Sequence, residues 1–492
     1  MKRIHDILLN GAPDAVAIVD HDGTAFTYGA LQAMISDAAA GLTRHGVRGG
    51  DRVLVLAENS VTFLVAVMAL SRLDAWTVLV NARLTAAEVD RLIDLSEARC
   101  TVFTPEASPA SAAHARRMGA TQVATLDCGA FLLSPPRDVP IEPVQAGSDQ
   151  TAVLIYTSGT VGEPKGVMLT HGNLCFMSQV SGDMRRITPQ DVTLAVVPGT
   201  HIFGLTSVFL AALAKGSGLI AMPRFEVAPV LDAIRSGVTI LPAVPQIFAA
   251  LMAELGHDSA RIAPNKLRFI YAGGAPLDLS LKHEVEALFG QPLHNGYGLT
   301  EASPSVAATR LDYVRDDSSI GLPVPGVEVR IHAPDDQGVG ELQLRGPNVM
   351  KGYFRNPKAT AQAMTADGFL RSGDLARQDA DGALHIAGRS KELIIRSGFN
   401  VYPPEVEAVL TAHPAVTLSA VVGRKVDRNE EVLAFVVARA PVTEKELRAW
   451  VRDRMAAYKV PSRIGIVAAL PQAATGKIQK NKLLTDPAYA LD

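Results

Sequence analysis

The sequence lacks the features of an exported or membrane-spanning protein. Its three cysteines, Cys100, Cys128 and Cys175, are odd in number and far apart, which excludes a disulfide framework and a cysteine-based zinc site. The longest uninterrupted apolar run, "FLVAVMAL", is too short to cross a bilayer, and the N-terminal stretch has no apolar core like that of a signal peptide. We therefore expect a soluble protein of the reducing cytoplasm, without a membrane span.

Strong charge of one sign is also missing. The formal net charge is -3 and there is no long basic run, so the sequence lacks the electrostatic features of a nucleic-acid-binding protein. At 492 residues, the chain is too long for one ordinary domain. These observations favour a multidomain protein whose partners are small molecules.

Strand-like and helix-like segments alternate in the first part of the sequence. Apolar strands are predicted at 51–57 and 77–81, with a helical pattern between them and a second helix that begins at Thr85, where Thr85 and Glu88 have capping-box spacing. This alternation predicts parallel sheets covered by helices. From about 305 to 388, short strands and turns predict an antiparallel subdomain, and helices around further strands follow.

The predicted fold class is therefore α/β. Residues 1–390 are predicted to form a large N-terminal domain of helix-covered, mostly parallel sheets, which includes the small antiparallel β subdomain at about 305–388. Residues 391–492 are predicted to form a small α+β domain of ordinary domain size.

The stretch "YTSGTVGEPKGVMLTH" crowds glycine and hydroxyl residues ahead of one lysine. It follows the apolar run "AVLIY", which is readable as a buried strand. Free backbone N–H groups, hydroxyls and a lysine would form a concave anion site, although the spacing is not that of a Walker A loop. By itself, the stretch is equally compatible with a phosphate site and with a surface connection.

Further stretches after this loop carry a family resemblance. They are, in order, "VPGTHIFGL", "YAGGAPL", "NGYGLTEAS", "SGDLA" with "GRSKELIIRSGFNVYPPEVE", and "LPQAATGKIQK". Together with the loop, they resemble the adenylate-forming enzymes: acyl- and aryl-CoA synthetases, nonribosomal peptide synthetase adenylation domains and beetle luciferase. The pattern is most similar to that of the AMP-forming acyl- and aryl-CoA ligases. The resemblance implies that ATP and a carboxylate give an acyl-adenylate and pyrophosphate, and that a thiol then displaces AMP.

The resemblance implies ATP, Mg²⁺ and coenzyme A as cofactors and co-substrate. The loop would hold the β- and γ-phosphates through Thr157, Ser158, Gly159, Thr160, Gly162 and Lys165. Tyr297 would stack on adenine, Thr300 would contact the α-phosphate and Glu301 would bind the magnesium ion. Asp374 would accept hydrogen bonds from the ribose hydroxyls, with Arg389 nearby. Other cofactor contacts are expected at Gly274, Ala275, Pro276, Asn295, Gly296 and Gly298.

The resemblance assigns the C-terminal part of the chain to catalysis and movement. Lys477 would bridge the attacking carboxylate and the α-phosphate, and Lys391 matches the hinge about which the small domain swings between the two half-reactions. Ser397 and Gly398 lie where relatives line the pantetheine channel. The resemblance also suggests that a lysine acetyltransferase acts on Lys477.

The acyl pocket is expected around an apolar set of residues. His201, which we also count among the catalytic residues, lies with Phe203 and Gly204 in the segment that, by the resemblance, forms the pocket mouth. A packed histidine without a polar role is the alternative for His201. We expect Gly296 to leave depth in the pocket, whose other candidate residues are Val244, Gln246, Leu299 and Ser303.

The pocket residues favour an apolar monocarboxylate, either aromatic or medium-chain. "HNGYGLTEAS" contains no arginine to receive a second carboxylate, and "GTHIFG" contains no aspartate to hold an amino group. An acyl-CoA ligase is the first interpretation. A free-standing adenylation enzyme that loads a carrier protein has the same motifs, and a nucleotide-binding pseudoenzyme is disfavoured by Lys165, Glu301, Asp374 and Lys477 together. The sequence leaves monomer and homodimer open.

Overall fold

A computed structural model of the chain describes residues 3–157, 164–256, 258, 262–263, 265–396, 399–426, 429–472 and 478–491. Helices alternate with mixed sheets whose central strands are parallel, and the predicted α/β fold class is confirmed. The chain divides into two compact units. The large unit comprises Met1–Glu328 and Leu344–Leu370, and the small unit comprises Val329–Gln343 and Arg371–Asp492. The predicted boundary at residue 390 and the hinge at Lys391 stay predictions.

Several of the α-helices are preceded by a serine or threonine whose side chain caps the first turn. Thr85 and Glu88 form the expected capping box, in which the Glu88 carboxylate accepts a hydrogen bond from the Thr85 N–H at 2.8 Å. No helix among the described residues is long and apolar enough to cross a bilayer. The α-helices are α1 (Tyr28–Arg44), α2 (Val61–Arg72), α3 (Ala86–Ser96), α4 (Pro109–Arg117), α5 (His171–Met184), α6 (Ala211–Ala214), α7 (Val227–Ser236), α8 (Pro245–Leu255), α9 (Leu279–Phe289), α10 (Pro357–Ala363), α11 (Pro403–Thr411), α12 (Glu444–Arg452) and α13 (Lys482–Thr485).

Arg52–Ala57 and Phe269–Gly273, in the interiors of two sheets, are short apolar runs, as expected for strands buried on both faces. The strands are numbered in chain order. They are β1 (Val16–Val19), β2 (Ala25–Thr27), β3 (Arg52–Ala57), β4 (Trp76–Asn81), β5 (Cys100–Phe103), β6 (Thr121–Leu126), β7 (Gly129–Leu133), β8 (Thr151–Thr157), β9 (Lys165–Thr170), β10 (Val192–Ala195), β11 (Gly218–Ala221), β12 (Ile240–Ala243), β13 (Phe269–Gly273), β14 (Leu293–Gly298), β15 (Ser305–Ala308), β16 (Leu322–Pro323), β17 (Glu328–His332), β18 (Gly340–Arg345), β19 (Gly352–Tyr353), β20 (Leu370–Gln378), β21 (Leu384–Arg389), β22 (Ile394–Arg396), β23 (Phe399–Val401), β24 (Val416–Val426), β25 (Asn429–Ala438) and β26 (Arg463–Ile466).

The large unit contains two large sheets. The eight-stranded sheet has the order β19-β9-β8-β4-β3-β5-β7-β6, and the nine-stranded sheet has the order β16-β15-β14-β13-β12-β10-β11-β1-β2. In the second sheet, β12, β13 and β14 are parallel neighbours. The segments that follow these three strands therefore emerge at the same edge, where ligands of open α/β sheets usually bind.

The small unit combines the predicted antiparallel strands with the C-terminal segment. A four-stranded sheet has the order β17-β18-β20-β21, and a three-stranded sheet has the order β24-β25-β26. Tyr402 directly precedes α11. Its hydroxyl donates a 2.7 Å hydrogen bond to Asp335 in the turn between β17 and β18. Val406, Val421 and Val451 lie in the apolar core on which α11 and α12 pack.

Candidate active site

The glycine-rich stretch forms the connection of a β-hairpin. Strands β8 and β9 are antiparallel, and Thr157 pairs with Lys165 at the end of the ladder. Both residues are half-buried. The hairpin thus brings a hydroxyl and an ammonium group to the two sides of the connection. Ser158, Gly159, Thr160 and Gly162 lie outside the described residues.

Tyr353 contacts both Lys165 and Glu301. The Lys165 Nζ lies 5.0 Å from the centroid of the Tyr353 ring, and the Tyr353 hydroxyl donates a 2.8 Å hydrogen bond to Glu301 Oε1. Burial and the Glu301 carboxylate raise the pKa of Tyr353, so its hydroxyl keeps the proton that it donates. The sequence analysis missed Tyr353, because nothing in "KGYF" distinguishes it from a core aromatic residue.

Glu301 lies in a single helical turn, Thr300–Ala302, that follows β14. The Met350 N–H donates a 2.8 Å hydrogen bond to the Glu301 carbonyl, and Asn348 Nδ2 donates to the carbonyls of Ala302 at 3.1 Å and Ser305 at 3.0 Å. The buried Ser303 hydroxyl donates to the Asn348 carbonyl at 2.8 Å. These bonds fix the turn, and they give the Ser303 hydroxyl a structural partner.

The turn leaves oxygen atoms available for a ligand. Among the described residues, no group donates a hydrogen bond to Glu301 Oε2, and the Thr300 hydroxyl has no partner. A carboxylate oxygen is the donor type that Mg²⁺ prefers, so the position fits the cation that the resemblance implies.

The other residues of "NGYGLTEAS" frame this turn. Tyr297 is half-buried at the end of β14. A Cβ atom at Gly298 would lie 2.3 Å from the Pro304 carbonyl oxygen, so only glycine fits there. Asn295 is buried, and its side-chain amide donates a 3.1 Å hydrogen bond to the Ser319 carbonyl. The Leu299 N–H donates to the Pro304 carbonyl at 2.9 Å.

Residues after β12 and β13 meet an aromatic residue at the same edge. A Cβ atom at Gly274 would lie 3.6 Å from Val244 Cγ1 and 3.9 Å from Phe203 Cδ1. The positive φ of 82° at Gly274 turns the chain toward Ala275 and Pro276. Gln246 is exposed in the first turn of α8. The predicted residues Val244, Phe203 and Gly274 are therefore neighbours.

Tyr271 occupies the space above Gly296. A Cβ atom at Gly296 would lie 1.8 Å from the Tyr271 hydroxyl, and the rings of Phe203 and Tyr271 meet edge to face with centroids 5.8 Å apart. The expected depth above Gly296 is thus filled by a buried aromatic ring. Burial raises the pKa of Tyr271, whereas Arg185 acts in the opposite direction.

Arg185 lies behind this aromatic surface. Its Cζ is 4.9 Å from the centroid of the Tyr271 ring, and its guanidinium donates a hydrogen bond to the Ser207 carbonyl. The side chain is buried, and no carboxylate among the described residues pairs with it. The sequence analysis missed both Arg185 and Tyr271, because their proximity depends on how α5 packs on the sheet.

The segment at the expected pocket mouth begins a π-helix, Phe203–Leu210. His201 Nδ1 accepts a 3.3 Å hydrogen bond from the Phe203 N–H, which leaves the ring proton on Nε2. The side chain is exposed, but surrounding protein atoms partly desolvate it and lower the pKa of His201 below the ordinary value. A Cβ atom at Gly204 would lie 2.1 Å from the Pro198 carbonyl oxygen, which explains the glycine.

The small unit contains the remaining predicted residues. Asp374 pairs with Arg389 across β20 and β21, and the Arg389 Nε lies 3.5 Å from Asp374 Oδ1. Lys391 is exposed in the single turn Ser390–Glu392. An antiparallel β-bridge joins Gln472 and Ile478. Lys477, Ser397 and Gly398 lie outside the described residues.

Comparisons with known proteins identify the family of the chain. The family model "AMP-binding enzyme" matches residues 8–354, and the model "AMP-binding enzyme C-terminal domain" matches residues 405–477. The chain is 36% identical over 488 residues to a feruloyl-CoA synthase from Amycolatopsis sp, which covers 96% of both chains. It is 35% identical to 4-coumarate–CoA ligase 5 from Oryza sativa subsp. japonica, over 98% of this chain and 94% of the relative.

A solved structure shares the fold over the full chain. It is the o-succinylbenzoate coenzyme A synthetase from Bacillus subtilis in complex with ATP and a magnesium ion, with a TM-score of 0.84 and 30% identity over 98% of this chain and 99% of that chain. The chain therefore belongs to the AMP-binding enzyme family and is an AMP-forming acid–thiol ligase.

Proposed function

We propose that this enzyme activates an apolar aromatic monocarboxylate with ATP and transfers it to coenzyme A. The acid would attack the α-phosphate to give an acyl-adenylate and pyrophosphate, and the CoA thiol would then displace AMP to give the thioester. The observation that carries the proposal is the position of strand β14. Gly296 on this strand faces the Tyr271 ring, which meets the Phe203 ring edge to face, and Glu301 lies in the turn that follows the strand.

The phosphate side is suited to a reaction in which two anions approach each other. Lys165 carries a positive charge beside the hairpin connection, where it pairs with Thr157, and the turn after β14 supplies the Thr300 hydroxyl as a further hydrogen-bond donor. Glu301 would hold Mg²⁺, which neutralises charge on the phosphate oxygens when bound. Tyr297 would stack on adenine and Asp374 would bind the ribose, whereas Lys477 would stabilise charge between the carboxylate and the α-phosphate.

The acyl side supports an aromatic substrate. Phe203 and Tyr271 present aromatic surfaces that meet edge to face at an interplanar angle of 63°, and Val244 and Phe203 both lie near Gly274. Aromatic rings pair favourably in such offset and edge-on arrangements. Two of the relatives are named for ferulate and 4-coumarate, and both of these acids are aromatic. The filled space above Gly296 disfavours long aliphatic chains, so an aromatic acid is preferred over a medium-chain acid.

A swing of the small domain about Lys391 would separate the two half-reactions. Proline at this position would fix φ near about -65° and block the rotation. We expect Lys391→Pro to retain pyrophosphate release and to lose most thioester formation from synthetic acyl-adenylate, whereas Lys391→Ala should be mild in both steps. Wild-type rates for the proline variant in both steps would place the hinge elsewhere.

The test is pyrophosphate release from ATP across a panel of carboxylic acids, with AMP and thioester measured with and without CoA. We expect an apolar aromatic acid to give CoA-dependent AMP release, and Lys165→Ala to abolish it. Reaction with only dicarboxylates or amino acids would overturn the substrate assignment. Thioester formation on a carrier protein but not on CoA would instead identify a free-standing adenylation enzyme.

A further inference from the structure

We propose that Tyr353 is a positioning residue that keeps Lys165 and Glu301 apart and orients the Glu301 carboxylate for its metal ion. The inference rests on the proposed role of Glu301. Tyr353 contacts the two residues through different parts of its side chain, since the ring face meets the Lys165 ammonium at 5.0 Å and the hydroxyl reaches Glu301 Oε1 at 2.8 Å.

The backbone around Tyr353 is fixed on both sides. The N–H of Lys351 donates to the Met168 carbonyl at 3.0 Å, and the N–H of Phe354 donates to the Gly166 carbonyl at 2.7 Å. The Tyr353 N–H itself donates to Thr360 Oγ1 at 2.9 Å. Strand β19 is thereby held on β9, the strand that begins with Lys165, which fixes the backbone from which the Tyr353 ring extends beside the ammonium.

This placement prevents an unproductive ion pair. Lys165 and Glu301 carry opposite charges near one aromatic ring, yet Lys165 has no carboxylate within 4.0 Å among the described residues. A direct contact would neutralise the ammonium needed for phosphate and the carboxylate needed for the metal. The ring instead offers the ammonium its negative face, and the hydroxyl occupies one carboxylate oxygen.

The hydroxyl also determines which oxygen of Glu301 remains available. With Oε1 accepting the hydrogen bond from Tyr353, Oε2 has no donor among the described residues. Groups that hydrogen-bond a metal-ligating carboxylate fix its orientation, and their removal typically lowers metal affinity by about 10- to 100-fold. Tyr353 would contribute to metal affinity in this way without contacting the metal.

Two substitutions separate the functions of the ring and the hydroxyl. Tyr353→Phe keeps the ring beside Lys165 and removes only the hydrogen bond to Glu301. We expect the Mg²⁺ concentration for half-maximal MgATP binding to rise by about 10- to 100-fold in calorimetric titrations, while ATP binding without metal stays within about twofold of wild type. Tyr353→Leu also removes the ring, so metal-free ATP binding should weaken as Lys165 and Glu301 approach each other.

Tyr28→Phe is the matched control, because the Tyr28 hydroxyl is also buried and donates a 2.8 Å hydrogen bond, to the Ser217 carbonyl. It should leave the Mg²⁺ dependence of ATP binding unchanged. Thermal unfolding of each variant with and without ATP checks that the large unit is folded.

Glu301→Gln distinguishes failure of the inference from failure of the proposed function. If Glu301→Gln leaves the Mg²⁺ dependence unchanged, Glu301 is not the metal ligand and the inference falls with it. If Glu301→Gln alters the dependence but Tyr353→Phe matches wild type, the role of Tyr353 alone is overturned. In the double variant, Tyr353→Phe should add nothing to the effect of Glu301→Gln on Mg²⁺ dependence, and full additivity would also overturn the inference.

Discussion

The phosphate side and the acyl side of the site lie near the same strand, β14, but they are built differently. On the phosphate side, Lys165 and Glu301 are charged and half-buried, and Tyr353 holds them apart. On the acyl side, Phe203 and Tyr271 are packed against one another over glycine. Under the proposed function, the first arrangement would select by charge and the second by shape, so ATP and the acid would be recognised by physically separate means.

The difference implies different sensitivities to substitution. A packed aromatic surface responds to the volume of each side chain, because protein interiors have few voids and little room for added atoms. A charge cluster responds to distance and orientation. Substitutions on one side should therefore leave the ligand of the other side largely unaffected.

The largest expected effect concerns charge at the reacting atoms. Lys477→Ala should lower the rate of adenylate formation by roughly 10²- to 10³-fold, the size found for loss of one group that stabilises developing charge. Transfer of a pre-made acyl-adenylate to CoA should be nearly unchanged, because the carboxylate has already reacted. Pyrophosphate release and thioester formation measure the two steps. Equal losses in both would remove the assigned role of Lys477.

A substitution on the acyl side should have a smaller effect. Gly296→Ala places a methyl group 1.8 Å from the Tyr271 hydroxyl. Overpacking of this kind typically costs about 1–3 kcal/mol of stability, and we expect a raised KM for the acid with less change in the KM for ATP. Urea unfolding and steady-state kinetics provide the measurements.

A second substitution tests whether the clash is with Tyr271. Tyr271→Leu removes the ring that a methyl group at Gly296 would meet, so the double variant should recover stability relative to Gly296→Ala alone. If the stability losses of Gly296→Ala and Tyr271→Leu simply add in the double variant, Tyr271 does not occupy the space above Gly296.

The acyl side also contains a buried histidine whose ionisation should affect stability. His294 pairs with Tyr271 across β13 and β14 and stacks on Phe269 with ring centroids 4.4 Å apart. Burial, with smaller contributions from Lys282 and Arg185, lowers the pKa of His294 to about 4. The folded state therefore favours the neutral ring, and the unfolded chain takes up the proton first as pH falls below about 6.5.

We expect this histidine to contribute to loss of stability in acid. The contribution of His294 is full above about pH 6.5 and decreases by about 1.4 kcal/mol per pH unit until its folded-state pKa is reached. In His294→Gln, the dependence of urea unfolding on pH should be shallower between about pH 6 and 4.5, with no change in slope near about pH 8. If the stability of His294→Gln depends on pH in acid as steeply as that of the wild type, the assignment of a buried, neutral His294 is contradicted.

The two sides also differ in how much the sequence revealed. The family and fold class followed from short motifs, and the roles proposed for Lys165 and Glu301 followed from the family resemblance that those motifs carry. Tyr353 was not predicted, since its contacts with Lys165 and Glu301 depend on the pairing of β19 with β9. Tyr271 and Arg185 were missed because their contact depends on how α5 packs on the sheet.

Gly296 illustrates the limit most clearly. Its small size is visible in the sequence, and we expected it to provide depth. In the structure, Tyr271 on the neighbouring strand fills that space. Sequence shows the absence of a side chain, whereas only packing shows what occupies the vacated volume.

The most direct test of the separation between the two sides is the acid preference of Tyr271→Leu. The variant should open space above Gly296 and shift the ratio of kcat/KM toward acids with longer or bulkier ring substituents by about 10-fold or more, the range typical of shape selection in an apolar pocket. The KM for ATP and the Mg²⁺ dependence should remain within about twofold of wild type. An unchanged order of acid preference, or a parallel change in ATP and Mg²⁺ dependence, would contradict the account.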